Sequence, residues 1–188
     1  MAEGIVLAGG FSMRMQENKM HLSIDNKPII IHTIESLIPF VNKVIVVTGH
    51  YNQEIRQLIK EDEKIRIVYN KDYEKGMFSS VLCGVKEVKE DFFIVPGDIP
   101  FIHASTYDAL LKGTKPVRYP SYKGKEGHPL FISIKLKDAL LNESVDSNLK
   151  AFRDRQEKEV IPVDDKNILK DIDTLKDYQE LVKERKSL

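Results

Sequence analysis

The chain has 188 residues, of which 41% are hydrophobic and 31% are charged, with 29 basic and 29 acidic side chains and no formal net charge. This balance excludes a disordered chain and predicts a globular protein with a sizeable core. Zero net charge disfavours a general nucleic-acid binder, which usually carries a basic excess, although a local loop can still bind a small anion.

Neither the cysteine count nor the hydropathy pattern indicates export or a membrane span. The chain has one cysteine, Cys83, so an internal disulfide is impossible. No apolar run approaches the ~20 residues that a membrane helix needs. The first residues lack the basic start and small-residue cleavage site of a signal peptide. We therefore expect a cytoplasmic protein that interacts with neither membranes nor nucleic acid.

Apolar, β-branched runs alternate with helical patterns in the first part of the chain. The runs predict strands at residues 4–8, 43–48, 65–69 and 92–96, and the helical patterns lie at residues 28–38, 53–62, 79–88 and 106–111. Continuous apolar runs are typical of parallel strands covered on both faces. The alternation predicts an α/β protein, a Rossmann-like three-layer α/β/α sandwich with a mostly parallel sheet.

The pattern changes after about residue 115. Strands are predicted at 116–122 and 128–133, joined by a glycine-bearing turn at 123–127, and a further strand at 159–163. Amphipathic segments lie at 136–141 and 147–156, and a helix is predicted at 173–186. Because no linker, repeat or low-complexity tract interrupts the chain, we expect one domain over residues 1–188.

The first strand runs into the sequence Leu-Ala-Gly-Gly-Phe-Ser-Met-Arg-Met at residues 7–15, and Lys19 follows. In doubly wound folds, ligands bind at the carboxyl end of such a strand. Paired glycines let the backbone approach a phosphate, while Arg14 and Lys19 offer cationic donors. The segment matches neither the Walker A loop nor G-x-G-x-x-G, and an ordinary strand-to-helix turn with solvated charges fits it as well.

Two acidic segments are candidates for a metal site. Asp98 follows the predicted strand at 92–96 in Gly-Asp-Ile-Pro, where a carboxylate suits Mg²⁺ and an Asx turn is the alternative. Asp171 and Asp173 precede the last helix, where either could add a second carboxylate or act as a helix cap.

The motifs together resemble the molybdenum cofactor nucleotidyltransferases, above all the cytidylyltransferase branch (MobA-like NTP transferase domain). The resemblance rests on residues 7–15 with Lys19, 76–84 (Gly-Met-Phe-Ser-Ser-Val-Leu-Cys-Gly), 97–100, 127–129 (Gly-His-Pro) and 171–178 (Asp-Ile-Asp-Thr-Leu-Lys-Asp-Tyr). There are two departures. Gln16 replaces the family's usual glycine, and Gly9 is commoner in the guanosine-using branch. The segments at 76–80 and 127–129 favour CTP.

The resemblance implies a nucleotide-diphospho-sugar transferase type of fold and transfer of a nucleoside monophosphate, from CTP, to a phosphorylated acceptor, molybdopterin, with release of pyrophosphate. It implies Arg14, Lys19 and Asp98 as catalytic residues and Mg²⁺ held by Asp98 with Asp173 or Asp171. The implied nucleotide contacts are Leu7, Ala8, Gly9, Gly10, Ser12, Arg14, Lys19, Gly76, Ser79, Ser80 and Asp98.

The resemblance also implies a molybdoenzyme maturation chaperone as a partner. His128 is either an acceptor contact or a histidine satisfied at the start of its strand. Ser79 and Ser80 lack a His–Asp partnership for a hydrolase triad, so we expect them to cap the helix and donate to the nucleotide. Two alternatives stay open: a nucleotidyltransferase for a sugar phosphate or other small molecule, and a nucleotide-binding protein without catalysis.

Overall fold

The structure is a computed structural model, and it describes residues 2–10, 19–144 and 146–186. The strands are β1 (Ala2–Ala8), β2 (Ser23–Ile24), β3 (Lys27–Pro28), β4 (Val41–Thr48), β5 (Ile65–Tyr69), β6 (Phe92–Pro96), β7 (Val117–Tyr122), β8 (Lys125–Glu126), β9 (Leu130–Ile132) and β10 (Lys158–Pro162). The α-helices are α1 (Ile29–Leu37), α2 (Asn52–Leu58), α3 (Met77–Glu87), α4 (Ala104–Lys112), α5 (Lys137–Leu141), α6 (Leu149–Asp154) and α7 (Leu175–Lys186). None of the helices in the described ranges is both long and apolar enough to cross a membrane.

The main sheet is mostly parallel, as predicted. Its strand order is β10-β7-β9-β6-β1-β4-β5, and β8 pairs with β7 at one side. Strand β9 runs antiparallel to both β6 and β7, whereas β1, β4, β5 and β6 are parallel to one another. In the register, Leu7 pairs with Val47 on one side and Pro96 on the other, so three strands end at the same edge.

Helices cover both faces of this sheet, which confirms the three-layer prediction. Alternate residues of a strand point to opposite faces. In β1, Val6 packs into a core with Ile34 of α1 and Leu110 of α4, while Ile5 packs with Val81 and Val85 of α3 on the other face. The buried runs of β1, β4 and β6 are continuous because both faces of these strands are covered.

The main differences from the predicted elements lie at helix ends and in a short hairpin. Pro28 has extended backbone (ψ 144°) and pairs with Ser23, so it is the N-cap of α1 and not its first helical residue. The hairpin of β2 and β3, missed in the sequence, turns through Asp25 and Asn26, both with positive φ. Helix α2 ends at Leu58 because Ile59 already has extended backbone.

Helix α7 packs against the β2–β3 hairpin, far away in sequence. Leu181 lies in a small core with Ile24 and Ile172, and the Tyr178 hydroxyl donates to the Ser23 carbonyl at 2.7 Å. Leu175, at the start of this helix, lies outside that core and is 58% exposed. The packing of α7 places the acidic segment at 171–173 beside the carboxyl edge of the sheet.

Candidate functional site

Asp98 is fixed at the carboxyl edge of the sheet, next to the end of β1. The Gly97 N–H donates to the Leu7 carbonyl at 2.8 Å, and the Thr33 hydroxyl donates to the Gly97 carbonyl at 2.9 Å. Asp98 itself is buried, with 8% of its surface exposed. Asp98 therefore lies beside the end of β1, where the glycine loop (Gly9 and Gly10) begins.

Lys19 joins Asp98 to the far end of the chain. It lies in a 3₁₀ turn (Lys19–His21), and its ammonium contacts the Asp98 carboxylate and lies 2.9 Å from Asp173 Oδ1. The Ile172 N–H donates to the Asp98 carbonyl at 3.2 Å, which ties the two acidic segments together. Burial acts to lower the pKa of Lys19, but the two carboxylates outweigh it and the pKa is raised, so the ammonium stays charged.

The structure distinguishes the two aspartates that the sequence left open. Asp173 pairs with Lys19, whereas Asp171 lines the same cleft and exerts its charge on His128. Asp98 and Asp173 therefore form the pair of carboxylates that converges on one position. Asp171 belongs to the part of the cleft around His128.

The carboxylate pair suits a hard divalent cation that takes its other ligands from a substrate. Within the described ranges, no group of three or more His, Cys, Asp or Glu side chains is gathered to hold a metal ion. Mg²⁺ commonly uses one or two carboxylates and completes its shell with phosphate oxygens and water, which Asp98 and Asp173 fit. A structural zinc site needs four protein ligands.

Helix α3 begins directly beside the glycine loop. Gly76, with φ +94°, is the N-cap of α3 and has no side-chain cap, so Ser79 and Ser80 do not cap this helix as expected. A Cβ built on Gly9 would lie 2.6 Å from the Ser80 Oγ. Buried Asn70, which the motifs did not reveal, donates from Nδ2 to the Ser79 Oγ at 2.8 Å and the Ser80 Oγ at 3.0 Å. Its position directly after β5, at the carboxyl edge, was the available signal.

A cleft of about 600 Å³ extends from Lys19 and Asp98 across the end of the sheet to α6. His128 lines it, and its Nδ1 is buried without a hydrogen-bond partner among the described residues. Burial lowers the pKa of His128 to about 4, so the imidazole is neutral near pH 7. The cleft also contains Tyr119 and Arg153, which the sequence motifs did not single out.

The remaining predicted contacts divide into two groups. Leu7 and Ala8 are the buried last residues of β1, and Gly10, two residues after Ala8, is exposed. Ser12 and Arg14 lie outside the described residues.

The chain is similar in sequence and in fold to several known proteins. The family model of the MobA-like NTP transferase domain matches residues 4–160. The molybdenum cofactor cytidylyltransferase of Escherichia coli is 28% identical over 178 residues, 93% of this chain and 92% of that protein. A probable molybdenum cofactor guanylyltransferase of Thermococcus sibiricus is 30% identical over 112 residues, 58% of this chain and 54% of that protein. The solved structure of Rv0371c from Mycobacterium tuberculosis in complex with manganese has the same fold, with a TM-score of 0.78 and 18% identity, covering 97% of this chain and 98% of that one.

Proposed function

The chain belongs to the MobA-like NTP transferase domain family, and from this premise we propose that it transfers CMP from CTP to the phosphate of molybdopterin, releasing pyrophosphate. The observation that carries the proposal is the convergence of Lys19, Asp98 and Asp173 at the carboxyl edge of the sheet. This edge is where open α/β sheets bind nucleotides.

The triphosphate binds along the glycine loop. Leu7, Ala8, Gly9 and Gly10 bring the backbone to the edge of the sheet, and Ser12 and Arg14 follow as further phosphate contacts. The amino end of α3 adds Gly76, Ser79 and Ser80, since the Ser80 Oγ lies only 2.6 Å from where a Cβ on Gly9 would stand. The positive end of a helix dipole near this loop favours an anionic ligand.

Asp98 and Asp173 would hold Mg²⁺, because two carboxylates that converge on one position suit this ion. When bound, the ion neutralises negative charge on the triphosphate. The carboxylates and Lys19 together carry a net charge of −1 (+1 − 2), and a divalent cation brings this to +1. A site of that charge attracts a triphosphate, whereas the carboxylates alone would repel it.

The transfer is a single in-line displacement. An oxygen of the acceptor phosphate forms a bond to the α-phosphorus of CTP, while the bond from that phosphorus to the bridging oxygen breaks and pyrophosphate leaves. The attacking phosphate is already ionised, so no side chain is required as a general base. The protein contributes position and charge: Lys19 and Arg14 stabilise the triphosphate, and neutral His128 contacts the acceptor.

Two sequence features bear on the base, and they disagree. Residues 76–80 and 127–129 fit cytidine users, while Gly9 fits guanosine users. The structure offers an independent reason for Gly9, because a larger residue would collide with the Ser80 hydroxyl. Gly9 is therefore weak evidence for guanine, and we assign the enzyme to CTP.

The decisive test is a competition between equimolar CTP and GTP with molybdopterin and Mg²⁺, in which the product is identified by mass. We expect cytidylylated product in at least about tenfold excess, because each unpaired polar group in a mismatched base pocket costs about 1–3 kcal/mol. Asp98→Asn is the control and should lose most of the turnover.

Three results would change the proposal. A mainly guanylylated product would move the chain to guanylyl transfer, the second candidate that Gly9 favours. Transfer to a sugar phosphate but not to molybdopterin would identify a different acceptor. If Asp98→Asn turns over within about threefold of wild type, its activation free energy has risen by less than ~0.7 kcal/mol. Asp98 would then not be a ligand of the metal.

A further inference from the structure

The part of the cleft farthest from Asp98 is built differently from the Lys19 end. Asp98 follows β6, and Tyr119 lies on β7, two positions away in the sheet order. Adjacent strands are separated by about 4.8 Å, so the two parts of the cleft are roughly 10 Å apart. Leu130 of β9 lines the cleft between them, and Leu149 of α6 lines it beside Arg153. This part has an apolar floor, while the Lys19 end is ionic.

Arg153 forms the surface of this part of the cleft. Its guanidinium carbon lies 4.2 Å from the centroid of the Tyr119 ring, and Tyr119 is completely buried beneath it. Nη2 donates to Glu126 Oε2 at 2.8 Å, and Nε donates to Asp154 Oδ1 at 3.0 Å. The Arg153 side chain is only 13% exposed. Three partners therefore hold a planar cation in a fixed orientation at the cleft wall.

The cleft also contains an unsatisfied polar group near this cation. His128 Nδ1 is buried without a hydrogen-bond partner among the described residues, and the charge of Arg153 acts on its ring. Buried polar atoms in native proteins are nearly always hydrogen-bonded, so a ligand group or an ordered water in the cleft would complete the bonding of this nitrogen. The neutral ring offers one donor nitrogen and one acceptor nitrogen.

We infer that Arg153, supported by Tyr119, is the stacking surface for the flat nitrogen heterocycle of the phosphorylated acceptor, with His128 Nδ1 bonding to that ring. This rests on the proposed function and assigns the residues that recognise the ring of the acceptor. A planar guanidinium stacks well on aromatic systems, and a flat heterocycle presents both a π-face and edge donors and acceptors. A sugar phosphate has no π-face to stack on the guanidinium, so Arg153 favours the heterocycle over it.

The inference is tested by binding, independently of turnover. The probe is fluorescent 6-hydroxymethylpterin monophosphate, titrated into the full chain, with ribose 5-phosphate as competitor and Mg²⁺–CTP affinity measured separately. The variants are Arg153→Met, which removes plane and charge, and Arg153→Lys, which keeps only the charge. Arg155→Met is the matched control, because Arg155 is paired with Glu143 and does not line the cleft.

Both Arg153 variants should weaken pterin phosphate binding by at least about tenfold, while Arg155→Met and the affinity for Mg²⁺–CTP stay within about threefold. With molybdopterin, the KM for the acceptor should rise and the KM for CTP should not. Arg153→Lys also guards against misfolding, since it retains the charge that Glu126 and Asp154 neutralise.

Four outcomes would overturn the inference. Two concern the wild-type protein: no detectable complex with the pterin phosphate, and equal competition by ribose 5-phosphate. The other two concern the variants. Wild-type affinity of Arg153→Met for the pterin phosphate would show that the guanidinium is not needed, and wild-type affinity of Arg153→Lys would show that charge alone suffices. Failure of the proposed function is distinguishable from these. In that case the pterin phosphate binds through Arg153, but neither CTP nor GTP yields a nucleotidylated product.

Discussion

Lys19 is the side chain around which the candidate site is arranged. Its ammonium is held by carboxylates from two segments, Asp98 after β6 and Asp173 before α7. Because the Lys19 ammonium is partly buried, each carboxylate stabilises its positive charge more strongly than it would at the surface. The pKa of Lys19 is accordingly raised, and the positive charge is retained throughout the neutral pH range.

At the residue scale, the two aspartates that precede α7 should behave differently. Asp173→Asn should raise the Mg²⁺ concentration for half-maximal pyrophosphate release by about tenfold or more, since it removes one of two anionic ligands. Asp171→Asn is the matched control, two residues away in the same segment, and should stay within about threefold of wild type. Equal effects of the two substitutions would contradict the assignment of Asp173.

The same residues show which parts of the candidate site could be predicted from the sequence. Lys19 and Asp98 could be predicted as candidate site residues because ligands bind at the carboxyl ends of parallel strands. Asp98 follows β6, and Lys19 follows the glycine loop after β1. The choice between Asp171 and Asp173 could not, because both are acidic residues just before a helix. Only the packing of α7 decides which of them reaches Lys19. Asn70 and Arg153 belong to no motif, and their roles depend on contacts across the fold.

At the element scale, the amino end of α3 leaves no room for a side chain at position 9. A Cβ on Gly9 would meet the Ser80 Oγ, and Asn70 donates a hydrogen bond to that hydroxyl. Such an arrangement could not be predicted from the two segments, which are 71 residues apart (80 − 9). The hairpin of β2 and β3 was missed for a related reason, since two-residue strands carry too little periodicity to be recognised.

We therefore expect Gly9→Ala to lower the free energy of unfolding by about 1–3 kcal/mol, because its new methyl group meets the Ser80 Oγ. Adding Ser80→Ala should recover about 1 kcal/mol or more of that loss, since the Cβ of residue 80 lies at an ordinary contact distance of 3.6 Å. Urea denaturation of both single variants and the double variant gives the coupling.

Gly10→Ala is the control for this cycle. A Cβ on Gly10 meets no atom of the described residues within 4 Å, so the substitution should change stability by less than about 0.5 kcal/mol. Strict additivity of Gly9→Ala and Ser80→Ala would show that the contact does not constrain position 9. The independent reason for Gly9 would then be lost, and the guanine alternative would gain weight.

At the scale of the whole molecule, the last helix, α7, packs against a segment near the start of the chain. Leu181 packs with Ile24 and Ile172, and Arg185 donates to Asp25 at 2.6 Å. The family model matches residues 4–160, so this helix and Asp173 lie beyond the matched segment. The buried parallel strands could be predicted from their apolar runs, but the position of α7 depends on a small core that sequence periodicity does not identify.

Leu181→Ala should destabilise the protein by about 2–4 kcal/mol, because it opens a cavity in this small core. It should also raise the Mg²⁺ requirement, since α7 carries Asp173 into place. Leu175→Ala, in the same helix but 58% exposed, is the control and should change stability by less than about 0.5 kcal/mol. Thermal melting and a Mg²⁺ titration test both effects. An unchanged Mg²⁺ requirement in a destabilised Leu181→Ala would separate α7 from the site.

The ion pair between Lys19 and Asp173 joins residues 154 positions apart. Ribosomes add about 5–20 residues per second, so Asp173 is made roughly 8–30 s after Lys19. In the later part of that interval, after residue 98 has been added, the nascent chain carries Lys19 and Asp98 without the second carboxylate. Growing chains on the ribosome therefore cannot assemble the proposed cation site, and catalytic competence arises only after residue 173 has been synthesised and α7 has docked.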